Sequence, residues 1–223
     1  MSLISNSRGK DFWGRPIWQF GHISSILYDP SKADEFENFW WLLTVLLPCD
    51  YCQKNLTYKL NKYPMKKYLE NRDQAFWYTY FLHDLVNQHI SQYHPDKPKV
   101  SPPYDTCKKD YINYSRTESV WKAAFWDTLF ILATTLKPQN SAAFDKFLWT
   151  SSSLIPHSFS LKFQNALQKY KSAAYLRNNN DAFFYVYLLY DVTSSGLDMV
   201  PSFDDLKSYY FYALGAECKE CSV

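Results

Sequence analysis

Glycine is scarce in this 223-residue chain, with five residues in all. That is too few for the many tight turns of a β-sandwich or for the close phosphate approach of a dinucleotide-binding α/β fold. An excess of charge of one sign is also missing. The 24 Lys and Arg stand against 22 Asp and Glu, a net of +2, so no basic stripe exists to neutralise phosphates and nucleic acid is not expected as a partner. Long apolar runs are absent as well. The longest, residues 39–48 and 183–190, fall far short of the roughly 20 residues that cross a bilayer, and Asp127 interrupts residues 123–136, so no membrane span is expected. Residues 1–11 lack the apolar stretch of a secretory leader. Without one, the sequons Asn55-Leu56-Thr57 and Asn113-Tyr114-Ser115 read as chance matches.

What is abundant is aromatic: 19 Tyr, 16 Phe and 8 Trp in a chain that is 47% apolar. That is too much to bury for a disordered chain, and at roughly 150 residues per domain it makes one large domain or two small ones. The apolar periodicity is helical. Trp18, His22, Ile23, Ile26 and Leu27 share one face of a helix ending near Asp29-Pro30. Phe36, Phe39, Trp40, Leu43, Leu46 and Leu47 form a second stripe, stopped by Pro48. A third helix is expected over residues 49–62. A fourth, over 73–91, carries Phe76, Tyr80, His83 and Asn87 in a single stripe. Residues 94–103 hold four Pro and read as a connection. Helical patterns follow at 118–136, 141–151, 161–170, 181–193 and 203–214.

Residues 68–84 resemble residues 175–191 without a gap, so the second half reads as a diverged copy of the first. Residues 47–52 fall on 155–160 in that alignment, and Trp18 falls near Trp121. Both Cys of the first copy are then absent from the second, His83 becomes Tyr190 and Asn87 becomes Ser194. The expected fold is all-α: a four- or five-helix bundle at 1–93, a Pro-rich connection at 94–110, a degenerate second bundle at 111–214, and a mobile tail at 215–223.

Cys49-Asp50-Tyr51-Cys52 is a C-x-x-C directly after Pro48, at an expected helix N-terminus, where unpaired N–H groups and the helix dipole stabilise a thiolate. Alone it fits a redox pair, half a zinc site or two core thiols. Cys218-Lys219-Glu220-Cys221 is a second such pair, in a segment with few apolar groups. The two pairs together are the ingredients of a structural Cys₄ zinc site in a noncatalytic module, although zinc ribbons space their pairs 15–20 residues apart. His22, His83 and Asn87 face the same bundle interior as the first pair, where aromatic planes and amides suit a flat heteroaromatic cofactor. A Ser-His-Asp hydrolase built on His83-Asp84 lacks a nucleophile elbow, and adjacent helix residues point different ways.

Gly14-Arg15-Pro16-Ile17-Trp18, His22, Pro48-Cys49-Asp50-Tyr51-Cys52 and His83-Asp84-Leu85-Val86-Asn87 together resemble the Erv/ALR family of FAD-dependent sulfhydryl oxidases. The family pattern is G-R-x-x-W-x-x-x-H, P-C-x-x-C and H-N-x-V-N in this order, and the match covers residues 14–92. The resemblance implies noncovalent FAD, with Cys52 as the flavin-proximal sulfur that forms the charge-transfer thiolate and Cys49 as the sulfur attacked by incoming thiols. It also implies that Gly14, Arg15, Trp18, His22, Cys52, His83, Val86 and Asn87 surround the cofactor. Cys218 and Cys221 look like the family's shuttle pair, passing electrons from substrate dithiols to Cys49-Cys52, then to FAD and O₂ with release of H₂O₂. No metal is implied.

Three departures stand out. Asp84 replaces the usual Asn, Tyr80 stands where many members have a structural Cys that Cys107 would pair with, and the cofactor contacts beyond Asn87 are open among Lys97, Lys99, Lys108 and Lys109. A cofactor-free second bundle also occurs in quiescin sulfhydryl oxidases and the baculovirus enzyme. The chain looks like the viral branch, because it has no thioredoxin-like module and its composition suits a large cytoplasmic DNA virus. The expectation is then an enzyme of the host cytoplasm, viral factory or virion, acting on thiol proteins such as virion proteins or a redox relay protein. It is expected as a monomeric pseudo-dimer or a homodimer.

Overall fold

A computed structural model describes residues 9–194 and 200–215 of the chain. Among them are ten α-helices: α1 (Lys10–Ile26), α2 (Ala33–Leu46), α3 (Asp50–Lys62), α4 (Arg72–Tyr93), α5 (Tyr104–Arg116), α6 (Glu118–Thr134), α7 (Ser141–Ser152), α8 (His157–Lys169), α9 (Asn179–Ser194) and α10 (Phe203–Leu214). Local chemistry sets several starts. The Asn71 side chain accepts from Gln74 N–H to cap α4, and Ser202 does the same from Asp205 N–H for α10. Pro48, Pro103 and Pro156 stand at or just before the starts of α3, α5 and α8, where a missing N–H and a fixed φ cost nothing.

The expected connection at 94–110 is shorter in the structure. Helix α5 begins at Tyr104 and runs through the expected boundary to Arg116, with Cys107 buried against Ile26 and Phe76. Its many polar positions make it the least apolar of the helices, which hid it behind the prolines although Tyr104, Cys107 and Tyr111 share one face. Helix α8 also begins four residues before the expected 161.

The order helix, 3₁₀ turn, helix, helix, 3₁₀ turn, helix, helix occurs twice, once from α1 to α5 and once from α6 to α10. Matching interactions recur. Tyr78 Oη donates to Tyr63 C=O at 2.7 Å, and Tyr185 Oη to Tyr170 C=O at 2.5 Å. Asn71 and Asn178 each accept from the N–H three residues on. The stretch from the start of α7 to that of α8 is one residue shorter than from α2 to α3, which shifts the expected register. Cys49 and Pro156 both immediately precede their helices, so Cys52 corresponds to Phe159 rather than Ser160. Trp18 corresponds to Trp126 rather than Trp121, because Trp18 lies against His83 and Trp126 against Tyr190, with ring centroids 4.1 and 5.1 Å apart.

The two halves share one core. Helix α1 packs on α6 through Phe20 and Phe125, and α2 on α7 through Phe39 and Phe147, both ring pairs at 5.4 Å. Gly21 is required beside this seam, since a Cβ there would meet the Trp40 ring at 2.8 Å. No helix among the described residues is long and apolar enough to cross a membrane.

Candidate active site

Helices α1, α3 and α4 enclose a cavity of about 420 Å³ in the first half, a size typical of small-ligand sites. One wall is a flat aromatic stack: Trp18 and His83 lie 4.1 Å apart with their planes within 5°. Cys52 opens onto the cavity from α3. The rim carries Lys10, Arg15, His89 and Lys99, and Lys99 leans on Asp11 at 3.5 Å.

The C-x-x-C owes its chemistry to its place at the start of α3. Pro48 ends the preceding segment, and Cys49 becomes the N-cap, its sulfur accepting the Cys52 N–H at 3.2 Å. A hydrogen bond from the Cys52 thiol, the Cys52 and Tyr51 N–H groups and the Lys10 charge outweigh burial and bring the Cys49 thiol down to about 6. Cys52 moves far up, because it donates to Cys49, is buried, and faces the Cys49 charge. The first thiolate of the dithiol therefore sits on Cys49. The resemblance implies a thiolate on Cys52, whereas in the dithiol the sulfur moved down is Cys49 and the one moved up is Cys52. Cys49 is 4% exposed, whereas Cys52 is only partly buried.

Seven of the expected cofactor residues line the cavity: Gly14, Arg15, Trp18, Cys52, His83, Val86 and Asn87. His22 does not. It sits one layer back, its Nε2 3.1 Å from His83 Nδ1 and its ring stacked on Tyr111 at 4.4 Å. Burial holds both imidazoles neutral, His83 at about 4 and His22 well below its ordinary value, so one ring donates to the other. His22 Nδ1 and the indole N–H of Trp40, which lines the cavity, are buried without a hydrogen-bond partner.

Asn87 donates to Ser101 Oγ at 2.9 Å, tying α4 to the Pro-rich segment, and Asp84 faces away from the cavity to Gln88. Of the four lysines left open by the sequence, Lys99 lines the cavity, whereas Lys108 pairs with Asp73 at 2.9 Å. Cys107 packs beside Tyr80, and burial raises its thiol to about 11. The sequon residue Asn55 lines the cavity and its side-chain oxygen accepts from the buried Lys59 ammonium at 2.8 Å.

Sequence reasoning missed Lys10, Tyr51, His89 and Tyr111. Tyr51, inside the C-x-x-C, hydrogen-bonds His89 Nε2 at 2.5 Å. A motif position written as x carried the signal, and Tyr111 needed α5 to be seen. Cys218 and Cys221 lie outside the described residues, and among the described residues no group of three His, Cys, Asp or Glu is placed to hold a metal.

The second half shows what the same frame does without the cavity residues. Phe130, Phe183 and Tyr210 repeat the arrangement of His22, Phe76 and Tyr111, with the Phe130–Tyr210 stack at 5.1 Å matching His22–Tyr111. Around Trp126, the rings of Phe159, Phe163 and Tyr190 stand at 6.2, 5.6 and 5.1 Å, in the places of Cys52, Leu56 and His83. Aromatic side chains fill the space that the first half leaves open.

Residues 15–111 match the model of the Erv1 / Alr family. The chain is similar to the probable FAD-linked sulfhydryl oxidase R368 of Acanthamoeba polyphaga mimivirus, with 30% identity over 85 residues. The similarity covers 36% of this chain and 59% of that relative, so the chain spans less than two thirds of the relative's length. No solved structure matches the chain.

Proposed function

From the premise that residues 15–111 are an Erv1/Alr family domain, we propose that the chain is an FAD-linked thiol oxidase that makes disulfide bonds in thiol-containing proteins. The observation that carries this reading is the sulfur of Cys52 opening onto a cavity walled by the Trp18–His83 stack and lined by the basic side chains Lys10, Arg15 and Lys99. Those residues fit the proposed cofactor. The flat wall suits a fused aromatic ring, the rim suits a diphosphate, and the cavity-lining Trp40 carries an indole N–H with no partner in the protein. Gly14, Trp18, His83, Val86 and Asn87 would hold FAD with the basic residues Lys10, Arg15 and Lys99, while His22 positions the His83 ring from behind. When bound there, FAD supplies a two-electron acceptor that is reoxidised by O₂ to give H₂O₂.

The protein's own part is thiol–disulfide exchange. An incoming thiolate attacks Cys49 in the Cys49–Cys52 disulfide, a mixed disulfide forms, and Cys52 departs as a thiolate inside the cavity. A second substrate thiolate then releases Cys49, whose low pKa makes it a good leaving group. Lys10, close enough to lower both sulfurs, stabilises the thiolate in either position. The tail pair Cys218/Cys221 is read as the shuttle that hands electrons to this disulfide, the second half as a diverged copy that binds no cofactor, and the source as viral, like the matched relative.

The test is dithiol-driven O₂ consumption. With FAD loaded, the wild-type chain is expected to consume O₂ on addition of DTT and yield an equivalent of H₂O₂. Cys52→Ser is expected to lose this activity by at least about a thousandfold, the scale of losing an essential nucleophilic group. Retained turnover in Cys52→Ser would remove Cys52 from the chemistry.

A further inference from the structure

The thiol chemistry leaves one proton unassigned. Cys49 gives up its proton at about 6, whereas Cys52 is moved far up and keeps its own in the dithiol. Closing the Cys49–Cys52 disulfide removes both, so a second proton must leave the pair at neutral pH. Cys52 opens onto the cavity, and two titratable side chains outside the family pattern line that cavity with it: Tyr51 on α3 and His89 on α4. Tyr51 immediately precedes Cys52 in the chain. Its hydroxyl meets His89 Nε2 at 2.5 Å, joining α3 to α4, and the two rings stack at 5.7 Å. Beyond His89 stands Tyr93, its ring centroid 4.7 Å away and its side chain 55% exposed, so the row leads from beside the sulfurs to solvent.

We propose that Tyr51 and His89 relay the second proton of the dithiol: it leaves the Cys52 thiol for Tyr51 Oη, the Tyr51 proton passes to His89 Nε2, and the imidazolium releases a proton to solvent. The relay presupposes the reading of Cys49 and Cys52 as a pair that cycles between dithiol and disulfide. Tyr51 meets the reacting thiol, and His89 is a positioning residue that acts through Tyr51. The surroundings set the direction of transfer. Burial and the ammonium groups of Lys59 on α3 and Lys10 on α1 hold the His89 imidazole below its ordinary value, so it is neutral and able to accept at pH 7. Burial, Tyr93 and the charges of Cys52 and Cys49 hold the Tyr51 phenol above its ordinary value, so it keeps a proton to pass on and lies within electrostatic reach of both sulfurs. Lys99 of the Pro-rich segment lines the same cavity, paired with Asp11 of α1.

The diverged half agrees. Ser158 stands there in the place of Tyr51, and Gly196 aligns with His89, so both members are gone from the copy that has lost both cysteines. The step balances with no change of oxidation state. The Cys52 S–H and Tyr51 O–H bonds break, a new Tyr51 O–H and a His89 N–H form, and Cys52 is left as a thiolate beside an imidazolium.

The test reads the protein's own sulfurs. The full-length chain carrying Cys218→Ser and Cys221→Ser is reduced, kept anaerobic and treated with glutathione disulfide, which the Cys49 thiolate attacks to give a mixed disulfide. Deprotonated Cys52 then attacks Cys49 Sγ, the mixed bond breaks and glutathione leaves as thiolate. Acid quenching and peptide mass give the rate of this closure between about pH 6 and pH 9.5, a range that spans the ordinary imidazole and thiol values. An ordinary thiol is only about 3% ionised at pH 7, and buried Cys52 is ionised less. With the relay, the rate is expected to change by less than about threefold between about pH 6.5 and pH 8, where His89 stays neutral. Tyr51→Phe and His89→Ala are expected to close about tenfold or more slowly at pH 7, to speed up about tenfold per pH unit, and to approach the wild type at the alkaline end. Imidazole added to His89→Ala is expected to restore the rate at pH 7. Variants slowed by one constant factor at every pH, or a wild-type rate that climbs about tenfold per pH unit, overturn the relay. A wild-type chain that forms no mixed disulfide on Cys49 at any pH defeats the exchange reading and the relay with it, a result distinct from the first two and independent of flavin binding.

Discussion

Cys49 and Cys52 show how three residues of spacing make two different sulfurs. Cys49 caps α3 and accepts hydrogen bonds, whereas Cys52, one turn later, donates one and faces the cavity. With the Cys49 thiol held at about 6, its thiolate is present above that pH and is lost as pH falls through it. In the reduced protein, ultraviolet thiolate absorbance is expected to titrate near pH 6. Cys52→Ala, which removes the main hydrogen-bond donor, is expected to move that titration upward, and an unchanged midpoint would assign the shift to the helix terminus alone. His83 carries a second pH dependence. Its folded value of about 4 lies below the unfolded 6.5, so the unfolded state binds more protons between the two and stability falls as pH drops through that window. Urea midpoints measured at pH 7 and pH 4.5 are expected to show a loss that is reduced in His83→Tyr. The paired sulfurs, Trp18, His83 and Asn87 were legible in the sequence because helical spacing aligns them. The retreat of His22 behind His83 was not, because spacing fixes a face and not a depth.

At the scale of elements, the segment that presents the C-x-x-C is held from the second half. Lys137 Nζ lies 2.9 Å from Asp50 Oδ1, and Asn140 Nδ2 donates to Val45 C=O at 2.8 Å. Gln53 Nε2 returns from α3 to Leu47 C=O at 2.8 Å. Asp50 is the first residue of α3 and stands between the two cysteines, so Lys137 offsets a negative charge beside a thiolate. Because both partners of the pair are largely exposed, its effect is small. Lys137→Met is expected to raise the Cys49 titration by a few tenths of a pH unit, and Lys137→Arg is expected to leave it in place. A titration that does not move in Lys137→Met assigns the contact to support alone. Nothing in the sequence announced this clasp, since residues 45–53 and 137–140 meet only when α2 packs on α7. Helix α5 was missed for a related reason. Only Cys107 and Ser115 are buried along it and most of its positions are polar, so its apolar content is low and its place is set by contact with α1 and α6.

Over the whole molecule, one helical frame is used twice with opposite results. The first half keeps small or polar groups at Cys52 and His83 and leaves a cavity. The second places Phe159 and Tyr190 there, and the rings close around Trp126. The shared core through Phe20–Phe125 and Phe39–Phe147 joins the two halves, and the second half supports the loop before α3 through Lys137 and Asn140 and sets the end of α10 against Gly9 at the start of α1. The repeat of residues 68–84 in 175–191 was visible in the sequence because α4 and α9 keep their buried aromatic positions. The register upstream was not, because one residue fewer between α7 and α8 breaks the alignment where the chemistry has been replaced. The account depends most on the cavity beside Cys52 being a flavin site. The measurement that bears on it most directly is the visible absorption spectrum of the purified protein, followed by release and identification of the chromophore. A flavin spectrum with FAD released at about one per chain is the predicted result, the stoichiometry of a single cavity site. A colourless protein that takes up no added FAD would contradict the account.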